Sequence, residues 1–173
     1  KFYYKNKNIA EEKEIKQASF HLMQSYYAFE FFKKKLKNVR ILYDYINQNI
    51  MNSSKNYKIN KKDIICYSHK SNNFINLIKD NLDFKFIKLH NLSQKQIINI
   101  FKKTKVYLDF GFHPGKDKMP REAALFNNCI ITNKKGSAKN NIDIPIKKKF
   151  KIFEKRSNLA LLKKELDSIF NNY

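Results

Sequence analysis

His113, Asp109, Arg121, Glu122 and several lysines stand in the one stretch of this chain that carries most of its backbone punctuation. All three glycines, Gly111, Gly115 and Gly136, and two of the three prolines, Pro114 and Pro120, fall between residues 106 and 139. A chain this sparing with glycine places it where the backbone turns unusually or where another group comes close. Proline suits the first turn of a helix, so Pro120 predicts a helix over 120–126 with Arg121 and Glu122 at its start. Free N–H groups and the dipole at such an end attract anions. Lys116, Lys118 and Arg121 add positive charge, and the set suits a diphosphate. Gly136, Ser137, Ala138 and Lys139 follow the next strand and can wrap a second part of the same ligand. Each feature has a plainer reading: Glu122 as a carboxylate that complements the helix dipole, and 136–139 as a surface turn.

His113 is the one histidine in this window. Its place in a Gly/Pro loop, rather than on an apolar face, marks it as a candidate for chemistry. Asp109 reads either as a site carboxylate or as a strand-end residue bonded to the loop. Lys70 follows another predicted strand and can reach the same crevice. His21, His69 and His90 carry no comparable context.

These residues need a scaffold, and the hydrophobic pattern supplies one. Strands are predicted at 21–25, 39–46, 63–67, 84–89, 106–110 and 128–132, with a further candidate at 151–153. Helices are predicted at 9–17, 26–36, 71–81, 93–103, 120–126 and 158–170, with Ser25 and Ser93 as their caps where a Ser precedes. Residues 47–60 are rich in Asn, Ser and Lys and read as a linker. Short strands alternating with helices predict βαβ units around a parallel sheet. Ligands of such sheets bind beyond the carboxyl ends of the strands, where all the glycines lie.

Composition narrows the class. The chain has 173 residues, 42% hydrophobic and 14% aromatic, enough for a core. No apolar run reaches the ~18 residues that span a bilayer. Cys66 and Cys129 are isolated and read as small buried hydrophobes in a reducing compartment. The net charge is +21, yet only Arg40, Arg121 and Arg156 are arginines. Readers of nucleic acid recruit Arg for bidentate contacts, whereas Lys, Asn, Ile, Phe and Tyr together are what AT-rich codons supply. Codon bias, rather than a nucleic-acid partner, is therefore read as the main source of the charge. The sequence holds no Gly-x-Gly-x-x-Gly, no Walker loop, no Gly-x-Ser-x-Gly elbow and no Asp/His cluster at metal-ligand spacing.

The run Tyr107-Leu-Asp-Phe-Gly-Phe-His-Pro-Gly-Lys-Asp-Lys-Met-Pro-Arg-Glu-Ala-Ala, with Cys129-Ile-Ile-Thr and Gly136-Ser-Ala-Lys, resembles the donor-binding half of bacterial GT-B glycosyltransferases of the group 1 type. The resemblance is specific over 106–139 and extends in outline over 60–155. It implies an α/β fold, a Rossmann-like parallel sheet with helices on both faces. It implies transfer of a sugar from a UDP- or GDP-sugar to a glycan or lipid-linked acceptor, in surface polysaccharide synthesis. Glu122 matches the residue that binds the nucleotide ribose. Lys70, in Ile65-Cys-Tyr-Ser-His-Lys70, matches the lysine on the donor diphosphate. Gly136, Ser137, Ala138 and Lys139 match the glycine-rich loop that approaches the donor phosphates, and Gly115 and Lys116 join the site as the tight loop and positive charge read above. Lys70 and Arg121 or Lys116 would stabilise the leaving group, with no metal or other cofactor needed. The family carries a second Glu eight positions before the first, where this chain has Pro114; His113 and Asp117 are the residues placed to substitute.

On the same resemblance, residues 1–52 are expected to be the end of an acceptor domain or a linker remnant, and 53–173 the donor-binding domain, the chain being a C-terminal fragment of such an enzyme or a truncated gene product. The expected location is cytoplasmic, with room for peripheral contact with an anionic membrane face. Two rivals stay open. A basic nucleic-acid-binding domain predicts lysines and aromatics interleaved on one face. A non-catalytic partner subunit predicts an exposed apolar surface near residues 18–50.

Overall fold

The computed structural model describes residues 13–55, 57–113 and 115–173. Pro114 and residues 9–12 of the first predicted helix lie outside the described residues; α1 is described as Lys13–Gln17. Four strands, β3 (Lys62–Ser68), β4 (Lys85–Leu89), β5 (Thr104–Asp109) and β6 (Cys129–Thr132), form a parallel sheet in the order β4-β3-β5-β6. The chain steps from β3 to β4 on one side and then returns to place β5 on the other. That reversal opens a crevice between the carboxyl ends of β3 and β5.

Side chains alternate across a strand, and here both faces are covered. Ile65 and Tyr67 of β3, Val106 and Leu108 of β5 and Ile131 of β6 pack with Phe74, Ile75 and Ile78 of α4 (Phe74–Asn81) and Leu159, Leu162 and Leu166 of α7 (Leu159–Asn171). Cys66, Tyr107 and Ile130 face the other way, onto Ile50 of α3 (Gln48–Lys55), Phe101 of α5 (Gln94–Lys103) and Ala123 of α6 (Lys118–Leu125). Two covered faces explain why these strands read as nearly continuous apolar runs. The fold is α/β and Rossmann-like, with helices on both faces of a parallel sheet.

Local signals set the helix starts. Ser25 accepts from the Ala28 N–H at 3.0 Å and opens α2 (Tyr26–Phe32). Ser93 and Gln96 form a reciprocal capping box at the start of α5. α6 begins earlier than Pro120 predicts, at Lys118. Pro120 still falls in the first turn, where its missing N–H breaks no helical bond. The shift carries Arg121 and Glu122 away from the helix mouth, so the free N–H groups there belong to residues just after Asp117.

Three further expectations change. Residues 47–60 contain helix α3 rather than a plain linker, and its Ile50 is buried in the main core; the expected domain boundary at 52/53 falls inside this helix. Residues 151–153 make one parallel bridge, Thr132 to Lys151, instead of a strand. The strand expected over 39–46 stops early, as β2 (Val39–Ile41), which pairs in parallel with β1 (His21–Met23) in a separate sheet.

This N-terminal layer is tied to the loops of the main sheet. The Asp143 carboxylate accepts from the Tyr26 and Tyr27 N–H groups at 2.7 and 2.9 Å, filling the anion-seeking end of α2. Arg121 Nη1 donates to the Asp44 carbonyl at 2.8 Å.

Candidate crevice at the carboxyl ends of β3 and β5

Three loops meet beyond the sheet. The loop after β5 crosses the one after β3: Asn72 N–H donates to Phe110 O at 3.0 Å, and a Cβ on Gly111 would sit 3.2 Å from Lys70 O. The loop after β6 grips the same segment. Ser137 N–H donates to His113 O, and Ser137 Oγ to Gly115 O, both at 2.7 Å. Gly136 has φ +55°, and any Cβ there would overlap the His113 carbonyl. A Cβ on Gly115 would lie 3.3 Å from Gln24 Oε1. The glycines thus serve packing of chain against chain.

Glu154 fastens these loops from behind. Its Oε1 accepts from Asn72 Nδ2 at 2.6 Å and from Asn133 Nδ2 at 2.9 Å, and its Oε2 pairs with Lys135. Burial alone would raise its pKa, but Lys135 and the two amides outweigh that and hold it below the ordinary carboxylate value.

Inside the crevice, Asp109, His113 and Asp117 come together, four residues apart along the loop. Asp109 and His113 are 2% and 1% exposed. His113 Nε2 lies 3.2 Å from the Asp109 carbonyl and 3.6 Å from its Oδ1; Nδ1 lies 3.8 Å from Asp117 Oδ2. Burial pushes the Asp109 carboxyl up to about 6, with His113 pulling the other way. Burial would lower the His113 pKa, but Asp117 and Asp109 outweigh it and raise it. Asp117 is also disfavoured as an anion by burial, yet His113 and Lys70 hold it below its ordinary value. The sequence reading found no such cluster. A four-residue repeat across a loop is no metal signature until the loop's path, with Gly136 of the next loop packed on the His113 carbonyl, brings the three side chains together.

The predicted site residues divide. Lys70, His113, Gly115, Gly136 and Ser137 converge on this loop, with Lys70 Nζ 3.9 Å from Asp117 Oδ2. The expected phosphate-wrapping run, Gly136–Lys139, is a 3-10 turn in which Gly136, Ser137 and Ala138 are buried, the first two bracing His113; Lys139 is exposed. Lys116 lies over the Tyr43 ring at 4.2 Å from its centroid. Arg121 is held by the Asp44 carbonyl, while its Nη2 is buried with no hydrogen-bond acceptor. Glu122 is half-buried on α6, its pKa raised by burial and drawn back by Lys118 and Arg121. None of the contacts above joins Glu122 to Lys70 or Ser137.

Comparison with protein-family models, with curated proteins and with solved structures returns no match. Among the described residues, no helix is long and apolar enough to cross a membrane.

Proposed function

We propose that the chain is the donor-binding half of a glycosyltransferase and takes a nucleoside diphosphate sugar in the crevice between β3 and β5. The observation that carries this reading is the meeting of the loops after β3, β5 and β6 at the point where strand order reverses, the place where open parallel sheets bind ligands. Two details support an anionic ligand. The Lys70 ammonium is half-exposed at the rim, and the Arg121 Nη2 hydrogens are buried without an acceptor. A diphosphate would satisfy both, and fixed cations beside it would stabilise a departing nucleotide. Transfer to a glycan or lipid-linked acceptor in polysaccharide synthesis is the activity that the resemblance attaches to such a half.

A second reading, a partner-binding subunit, is favoured by one observation. Phe20, Leu22, Phe31, Leu42 and Tyr45 are all at least 42% exposed in the N-terminal layer. A parallel pair such as β1–β2 ordinarily lies buried between other layers, so this face suits cover by another apolar surface.

Calorimetric titration separates the readings. UDP- or GDP-sugars bind the wild-type chain, and Lys70→Ala weakens them about tenfold, the loss of one charge-assisted contact. Glu122→Ala weakens them if Glu122 holds the ribose. Equal affinity in both variants removes the assigned site. Binding of mixed-sequence oligonucleotides without nucleotide-sugar binding replaces the proposal with the nucleic-acid reading.

A further inference from the structure

The Asp109, His113 and Asp117 side chains form a cluster that sugar-nucleotide binding does not account for. One ligand atom from each lies within 4.8 Å of the others. His113 Nε2 faces the Asp109 carbonyl, which can only accept, so Nε2 carries a hydrogen. In the neutral ring Nδ1 is then a bare lone pair. It is buried, has no hydrogen-bond partner and faces the Asp117 carboxylate. A lone pair against an anionic oxygen is repulsive unless a cation, either a proton on Nδ1 or a metal ion, lies between them. At 3.8 Å the gap is too long for a hydrogen bond. It matches two ligand atoms sharing one ion, which sit ~3.4–3.8 Å apart for bonds of about 2.1 Å.

The seat is built. An imidazole N–H donated to a backbone carbonyl is the usual device that fixes a metal-binding tautomer. Ser137 N–H and the missing side chain of Gly136 hold His113 in place from the other side. One imidazole nitrogen and two carboxylate oxygens suit a first-row divalent ion. We propose that Asp109, His113 and Asp117 bind a single divalent transition-metal ion of the zinc type, with a further position open beside the partly exposed Asp117. Lys70 competes with the ion for Asp117 and, being half-exposed, swings away when it binds. This site stands on its own geometry and needs no nucleotide.

The test uses the full chain, stripped with a chelator and titrated with Zn²⁺ by calorimetry and with Co²⁺ by visible absorption, without nucleotide. His69 and His90, with ring centroids 5.5 Å apart, form a separate imidazole pair that could itself take up metal, so His90→Ala is the control. One equivalent binds with intense Co²⁺ bands, and His90→Ala keeps it. Asp117→Asn, at a partly exposed position that leaves the core intact, weakens it more than about tenfold. Lys70→Ala tightens it about threefold, by removing one like charge at screened range. No uptake, or uptake that Asp117→Asn leaves unchanged, overturns the proposal. So does uptake lost in His90→Ala. Loss of nucleotide-sugar binding with metal uptake intact would strike the nucleotide reading alone.

Discussion

At the scale of single residues, Gly136 decides whether the crevice exists. Its left-handed backbone and its contact with the His113 carbonyl leave no room for a side chain. Gly136→Ala should cost about 3 kcal/mol or more, since strain and overlap with backbone both act. Urea unfolding checks it; a loss under about 1 kcal/mol would mean that the loop yields easily. The importance of this glycine was legible in its rarity. Its role was not, because sequence shows that a backbone position is special without showing what approaches it. The same limit hid the partners of Gly111 and Gly115, and turned Ser137, expected to face a ligand, into a brace for Gly115.

At the scale of elements, the loops after β3 and β6 are held by one carboxylate. Glu154 accepts from Asn72 and Asn133 while paired with Lys135. Glu154→Gln should cost about 2 kcal/mol at pH 7, from charged hydrogen bonds lost in a mostly buried setting. The folded pKa of Glu154 is lowered, so its contribution is present above the unfolded value and fades as pH falls through the folded one. The gap between wild type and variant should therefore begin to narrow as pH falls below the ordinary Glu value of about 4.3. A gap that stays constant from pH 7 to pH 3 would mean that the carboxylate's charge contributes nothing. This clasp was invisible in the sequence because its members are 21 and 82 residues apart. Elements defined by local signals were legible. Ser25 and Ser93 each cap the helix they precede, and the Leu stripe of α7 faces the core. Misread elements were those fixed by tertiary contact. α3 is polar in composition and is held by burial of Ile50. α6 starts just after Asp117, two residues upstream of Pro120.

At the scale of the whole molecule, two covered faces and a reversal of strand order produce one crevice; the sequence announced the parallel sheet and its ligand-bearing carboxyl ends, while the strand order came only with the structure. Short strands alternating with helices required a parallel sheet, and near-continuous apolar runs such as Val106-Tyr-Leu fit strands buried on both sides. Charge was less informative. Lysines at 116 and 118 spend their ammonium groups on Tyr43, Tyr45 and Asp44, so net charge overstates what the crevice offers a ligand. The most direct measurement is an amide chemical-shift map of the ¹⁵N-labelled chain titrated with a UDP- or GDP-sugar. The account predicts saturable shifts at Lys70, Gly111, His113, Gly115, Arg121 and Ser137, around the carboxyl ends of β3 and β5. Shifts spread over exposed lysines, or confined to the β1–β2 layer with the crevice silent, would contradict it.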